Sequence, residues 1–121
     1  MGVVFKGIQS LGGNGVKGFH CIQCLSFISS SDLFLKLNGA QRHSFVNPEG
    51  IYCEFYSFLS CPGAVPHGRD TEQDSWFPGY AWTPAFCVFC GNHLGWHYRA
   101  VSVTSRPMEF WGILMDQVSV R

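Results

Sequence analysis

Charge is scarce in this chain. Eight Lys and Arg and eight Asp and Glu make up 13% of 121 residues, against roughly 25% in an ordinary globular domain. The two signs cancel to a formal net charge of zero. A basic excess that would hold a nucleic acid is therefore missing, and so is a polyacidic tail. Long apolar runs are missing too. The longest, residues 85–90, is six residues, far short of the ~18 that would cross a membrane. Near the N-terminus Lys6 follows Val3, Val4 and Phe5. That leaves no apolar stretch of about 7–15 residues for a secretory leader. Lys6 also stands where a myristoylation signal wants Ser or Thr. The expectation is a protein with no membrane and no nucleic-acid partner. It would be cytoplasmic or nuclear, or secreted if a leader precedes this sequence, and the compartment stays open. No internal repeat of 20–50 residues is visible.

Aromatics are plentiful: eleven Phe, four Tyr and four Trp. Disordered chains are poor in these, and 121 residues suffice for one buried core but not two. Glycines at positions 2, 7, 12, 13, 15 and 18 follow no period, so residues 1–18 read as a flexible leader and residues 19–121 as the domain. Turn signals recur after that: Asn38-Gly39, Asn47-Pro48-Glu49-Gly50, Cys61-Pro62-Gly63, Pro78-Gly79 and Gly91-Asn92. Between them, residues 51–59, 94–104 and 109–115 are short aromatic and β-branched runs of strand length. Ser30 and Ser31 could cap one helical turn over residues 32–37. The fold class predicted is mostly β.

Six cysteines fall into two kinds. Cys21-Ile22-Gln23-Cys24 and Cys87-Val88-Phe89-Cys90 are C-x-x-C pairs, and Cys53 and Cys61 stand alone. A two-residue gap lets one turn aim both thiolates at one ion, so two pairs supply four tetrahedral sulfurs. Such a soft, closed shell predicts one structural zinc with no open position for catalysis. The pairs flank residues 25–86, so the ion closes a long loop. Disulfides or a redox C-x-x-C are the alternative, although a thioredoxin-type motif occurs once and within a βαβ pattern. Cys53 and Cys61 read as buried free thiols, with a disulfide between them as the alternative.

Three of the four Trp, at positions 76, 82 and 96, flank the second cysteine pair. Pro78-Gly79 demands a turn that can fold Trp82 back toward Trp76. Alternation in Gly95-Trp96-His97-Tyr98 puts Trp96 and Tyr98 on one face. Three indoles and a phenol can wall a pocket, and an aromatic core is the competing reading, although buried Trp wants a partner for its N–H.

At these residues the sequence resembles the cereblon-type thalidomide-binding (CULT) domain family, as a stand-alone single-domain member. The resemblance covers about residues 19–115. It rests on Cys21-Ile22-Gln23-Cys24, Val46-Asn47-Pro48-Glu49-Gly50, residues 74–83 (Asp-Ser-Trp-Phe-Pro-Gly-Tyr-Ala-Trp-Thr), Cys87-Val88-Phe89-Cys90, residues 93–98 (His-Leu-Gly-Trp-His-Tyr) and Phe110-Trp111-Gly112. It implies two antiparallel sheets meeting at an angle, a β-tent, pinned by one zinc at Cys21, Cys24, Cys87 and Cys90. It also implies a non-enzymatic cage for cyclic imides: glutarimides, thalidomide-type compounds, uracil-like rings or a peptide ending in a cyclic imide. Carried over by motif, Trp76, Trp82 and Trp96 are walls and Tyr98, where the family often has Phe, is the floor. The Asp74 carbonyl and Trp76 N–H would read the imide edge, Ser75 lies between them, and Asn47 and Pro48 form the opposite lip. Asp74 stands where cereblon has His, and Glu49 and Ile51 replace a His and a Tyr of the lip. Residues 1–18 hold no counterpart of cereblon's protease-like domain or adaptor-docking segment, so no ubiquitin-ligase adaptor is expected to bind this chain alone.

Two rival classes remain. The cage suits a methylated lysine or quaternary ammonium, with Glu49, Glu72 or Asp74 adding a carboxylate. The paired cysteines also look like B-type methionine sulfoxide reductases, for which only Cys53 and Cys61 are spare nucleophiles. A zinc deaminase needs H-x-E, which none of the five His begins. His93 and His97 bracket Trp96 and are assigned a structural role.

Overall fold

The computed structural model describes residues 15–121; up to residue 14 the expected leader lies outside the described residues. In chain order the elements are β1 (Gly18–Cys21), β2 (Phe27–Ser30), a 3-10 turn (Ser31–Leu33), β3 (Arg42–Val46), β4 (Tyr52–Phe58), β5 (Ala64–Pro66), β6 (Tyr80–Cys87), β7 (His93–Ala100), β8 (Glu109–Leu114), a second 3-10 turn (Met115–Gln117) and β9 (Val118–Val120). All pairings are antiparallel. One sheet runs β2-β1-β9 and the other β3-β4-β8-β7-β6-β5. The fold is mostly β, as the residue pattern predicts, in the two antiparallel sheets that the resemblance implies.

The large sheet buries apolar side chains on both faces. In β4, Cys53, Phe55 and Ser57 alternate inward while Tyr52 and Glu54 face water. From the other face, Phe58, Leu94 and Ile113 meet Phe19, Ile28 and Val118 of the small sheet. The first face carries Phe55, Tyr98 and Phe110 and, among the described residues, has no sheet over it. The loop from β5 to β6 covers it instead. Phe77 in that loop sets its ring edge-on to Tyr98 (5.1 Å, 84°) and Phe110 (5.2 Å, 89°), the arrangement aromatic quadrupoles prefer.

Two sequence expectations are corrected in detail. The helical turn over residues 32–37 is only the 3-10 turn Ser31–Leu33, with no side-chain cap from Ser30. The Ser31 hydroxyl accepts the Lys17 N–H instead. Beyond the turn Leu35 N–H donates to Ser57 O (2.9 Å), so the backbone joins the sheet rather than continuing a helix. The run 94–104 stops as a strand at Ala100. Ser102 accepts the Thr104 N–H on its hydroxyl and the Ser105 N–H on its carbonyl, and such local bonds compete with a ladder. β6 is not among the runs read as strands from the sequence; it matches β7 in length but carries Pro84, which inner strands avoid. A residue's N–H and C=O face the same neighbour in an antiparallel ladder. Pro84 O accepts the His67 N–H (3.0 Å), so its missing N–H faces the side where the three-residue β5 has already ended.

Gly95 sits at the bulge between β6 and β7, with φ +154°. A Cβ there would meet Gly112 O at 2.0 Å. Gly95→Ala must push β7 off β8 directly beside Trp96. We expect a loss of about 3 kcal/mol or more of unfolding free energy, measured by urea denaturation of the zinc-loaded protein. Wild-type stability in that variant would contradict the packing described.

Candidate functional site

The first cluster is built by chain ends and turns. Cys21 closes β1 and Cys24 lies in the turn after it; Cys87 closes β6 and Cys90 lies in the turn to β7. The four sulfurs lie within 4.8 Å of one another. Cys21 to Cys90 and Cys24 to Cys87 are each 3.6 Å apart. A tetrahedral shell with Zn–S near 2.3 Å has sulfur–sulfur edges of about 3.8 Å, so the donors fit zinc in number, softness and spacing. The Ser26 hydroxyl touches Cys24 Sγ (3.1 Å) and Cys87 Sγ (3.4 Å), and Asn92 Nδ2 donates to Cys21 Sγ (3.7 Å). Burial raises the Cys87 thiol, but the Ser26 hydroxyl and the Cys90 and Phe89 N–H groups outweigh it and bring the thiol down to about 6. Cys90 goes the other way: the Asn92 N–H lowers it, but burial and the three neighbouring thiols outweigh that and push it up to about 12, so binding the ion must release protons from the set.

Cys53 and Cys61 are both buried and free, as the sequence reading holds. Burial pushes both thiols up, with Asp116 adding to the effect at Cys53. An activated nucleophile needs the opposite shift.

The second cluster is a cavity of about 370 Å³ on the face of the large sheet that no second sheet covers. Trp82 of β6 and Tyr98 of β7 are direct cross-strand partners, and Trp96 pairs with Pro84 one step along. The period of two therefore places all three on one face. Trp76 comes from the loop. Its ring lies edge-to-face on Trp96 (5.0 Å, 82°) and stacks on Phe45 (5.2 Å, 10°) and Phe55 (5.6 Å, 13°). Asn47, Pro48, Glu49 and Asp74 complete the lining. Asn47 Oδ1 accepts the Glu49 (3.0 Å) and Ile51 (2.9 Å) N–H groups, which fixes the β3–β4 turn as one lip. Ser75, grouped with these residues in the sequence, does not line the cavity. Its hydroxyl donates to Phe77 O (3.2 Å) and accepts the Phe77 N–H (3.3 Å), bracing the loop.

That loop is held at both ends. Thr71 and Trp82 exchange backbone bonds of 3.0 and 2.8 Å, and Trp82 Nε1 donates to Gln73 O (2.8 Å). Asp74 adopts φ +60°, a left-handed conformation that Asp tolerates better than most residues. Among the described residues no hydrogen bond takes the Asp74 carbonyl or the Trp76 N–H. The loop thus offers an acceptor and a donor two residues apart beside indole faces. Phe45 and Phe55, which back Trp76, escaped the sequence reading. Their signal was their positions on either side of the Asn47–Gly50 turn.

His97 is buried on the opposite face, its Nε2 bonded to Glu109 Oε1 (2.6 Å). His93 Nε2 lies 2.9 Å from Gly95 O. Both are structural.

A zinc-pinned, two-sheet β module with an aromatic cavity is thus defined. Residues 17–120 match the family described as Yippee zinc-binding/DNA-binding/Mis18, centromere assembly. The chain belongs to this family and carries a single zinc ion. Among curated proteins it is 38% identical over 96 residues to cereblon of Gallus gallus, covering 77% of this chain and 21% of that protein. It is 34% identical over 107 residues to cereblon of Drosophila melanogaster, covering 84% and 18%. The chain therefore spans about a fifth of the length of these relatives. The solved Mis18 "Yippee-like" domain superposes with a TM-score of 0.60 at 10% identity over 88% of this chain and 96% of that one, a likeness of fold.

Proposed function

We propose that this chain is a non-enzymatic, cereblon-type (CULT) binding module whose tryptophan cage takes cyclic imides, either as small molecules or at a peptide end. One observation carries the reading: Asp74 and Trp76, whose carbonyl and N–H take no hydrogen bond among the described residues, line a cavity together with Trp82 and Trp96. An imide is planar with an acceptor–donor–acceptor edge. Its N–H meets the Asp74 carbonyl and one carbonyl meets the Trp76 N–H. The indoles exclude water and strengthen both bonds. Micromolar affinity, about 8.2 kcal/mol, would take about 1 kcal/mol from each of the eight heavy atoms of glutarimide, inside the ceiling of roughly 1.5 for very small ligands. The reading requires no nucleic acid, membrane or ubiquitin-ligase adaptor as partner.

A cation is the second reading, because two acidic residues, Glu49 and Asp74, are among those lining the same cavity. N-methylation of the imide separates the two. It removes the donor and adds bulk against residues 74–76, so N-methylglutarimide should bind at least tenfold more weakly than glutarimide, about 1.4 kcal/mol, by calorimetric titration of the zinc-loaded protein. Equal affinity, or tighter binding of tetramethylammonium that is lost in Asp74→Asn, would replace the imide with the cation.

A further inference from the structure

Proteins blunt the open edges of their sheets with short strands, proline, bulges or a covering segment. Three of the edges here are blunted. β5 is three residues long and ends on Pro66, and β9 is also three residues long. β2 is bulged against β1, and its Ile28 O accepts the Gly63 N–H (3.0 Å). β3 differs. It has five residues without proline, glycine or a bulge, and it pairs only with β4. At the two ends of that ladder, Asn47 N–H donates to Ile51 O (2.9 Å) and Ser57 N–H to Gln41 O (2.9 Å). Bonded pairs alternate along an antiparallel ladder. The backbone groups of His43 and Phe45 therefore face β4, and those of Arg42, Ser44 and Val46 face outward. Among the described residues no strand or loop bonds to these outward groups.

We propose that this edge is a self-association surface, on which β3 of a second copy pairs antiparallel about a two-fold axis at Ser44. The proposal does not depend on the imide reading. One register engages every outward group: Ser44 faces Ser44 of the second copy, Arg42 faces its Val46, and Val46 faces its Arg42. Charge fits the same register. Arg42, Ser44 and Val46 are exposed and share a face with Glu54, the cross-strand neighbour of Ser44 on β4. Among the described residues neither Arg42 nor Glu54 has an ion-pair partner. With strands about 4.8 Å apart and about 3.4 Å per residue, the Cα atoms of Arg42 and of Glu54 in the second copy lie about 12 Å apart, across the small Ser44. An arginine and a glutamate side chain together span that gap. The two arginines lie about 14 Å apart, as do the two glutamates, so opposite charges are nearer than like ones. The axis is normal to the sheet, which leaves both cages on the same face of one continuous sheet. A single five-residue edge buries little area, so the dimer belongs to the weak class.

The test is sedimentation equilibrium of the zinc-loaded protein up to about 1 mM, where a pair with a millimolar Kd is substantially formed. Wild type should pass from monomer to dimer and no further. Ser44→Pro removes an outward N–H, which an edge strand tolerates, and should stay monomeric with its zinc and a cooperative melt. Arg42→Glu sets glutamates of the two copies against each other and should weaken the dimer fivefold or more. Adding Glu54→Arg reverses both charges and should restore most of the loss, so the charge pair decides the matter even if the proline variant fails to fold. A wild type that is monomeric throughout leaves the edge to some other strand and overturns the proposal. So does a dimer that survives Ser44→Pro, or one indifferent to Arg42→Glu or not rescued by the double variant, because another surface then holds it.

Discussion

Stripping zinc from the protein unfolds it. Elemental analysis of the intact protein should give one zinc per chain, and excess chelator should abolish the cooperative thermal transition. The magnitudes decide this. Structural zinc contributes roughly 10–16 kcal/mol in small zinc-binding peptides, whereas a whole domain is stable by only ~5–15 kcal/mol. The geometry adds to this, because the site ties the two sheets together beside their shared apolar core. The ion joins the end of β1, in the small sheet, to the turn between β6 and β7, in the large one. Cys87→Ser removes one thiolate of four and should leave the chain unfolded or insoluble. The milder variant Ser26→Ala keeps all four ligands but loses the hydroxyl beside Cys24 and Cys87. It should fold and lose zinc to a chelator about 10-fold more readily. A folded, metal-free wild type would refute the account.

Trp96→Ala abolishes imide binding while leaving zinc in place. Trp96 is a wall of the cavity and the surface against which Trp76 stands at 5.0 Å. Truncation removes one aromatic wall and one of the three rings packed on Trp76, whose N–H reads the imide, while Phe45 and Phe55 still hold Trp76. Loss of a central wall of the cage should exceed 100-fold in affinity, about 2.7 kcal/mol. The side chain is half-buried and its neighbours Phe55 and Tyr98 remain packed against Phe77 or Phe110. Zinc content and a cooperative melt should therefore persist. Glutarimide affinity within threefold of wild type would remove the cage from the reading.

The metal centre was legible because its chemistry is local. A two-residue gap between cysteines aims two thiolates at one point in almost any turn, and two such pairs leave little else to infer. The parity of Trp96 and Tyr98 was legible for a similar reason, since alternation is a property of the strand alone. The Asn47–Gly50 and Pro78–Gly79 turns announced themselves by residue type.

What depended on distance in sequence was hidden. Pro84 disguised β6, because only the early end of β5 shows that its missing N–H is harmless. Ser30 and Ser31 advertised a helix cap, but the pairing of Leu35 with Ser57, 22 residues away, claimed that backbone for the sheet. Phe45 and Phe55 became the backing of Trp76 only once the loop folded onto β3 and β4. Composition and local spacing by themselves determined the class, the zinc and which aromatic residues share a face. Only the tertiary structure decided that Trp76 joins Trp82 and Trp96, that Ser75 braces the loop instead of lining the cavity, and that the Asp74 carbonyl and the Trp76 N–H have no hydrogen-bond partner among the described residues. Local rules state what each residue can bond. Whether that bond is taken up or left free for a ligand is settled by which distant segment packs beside it.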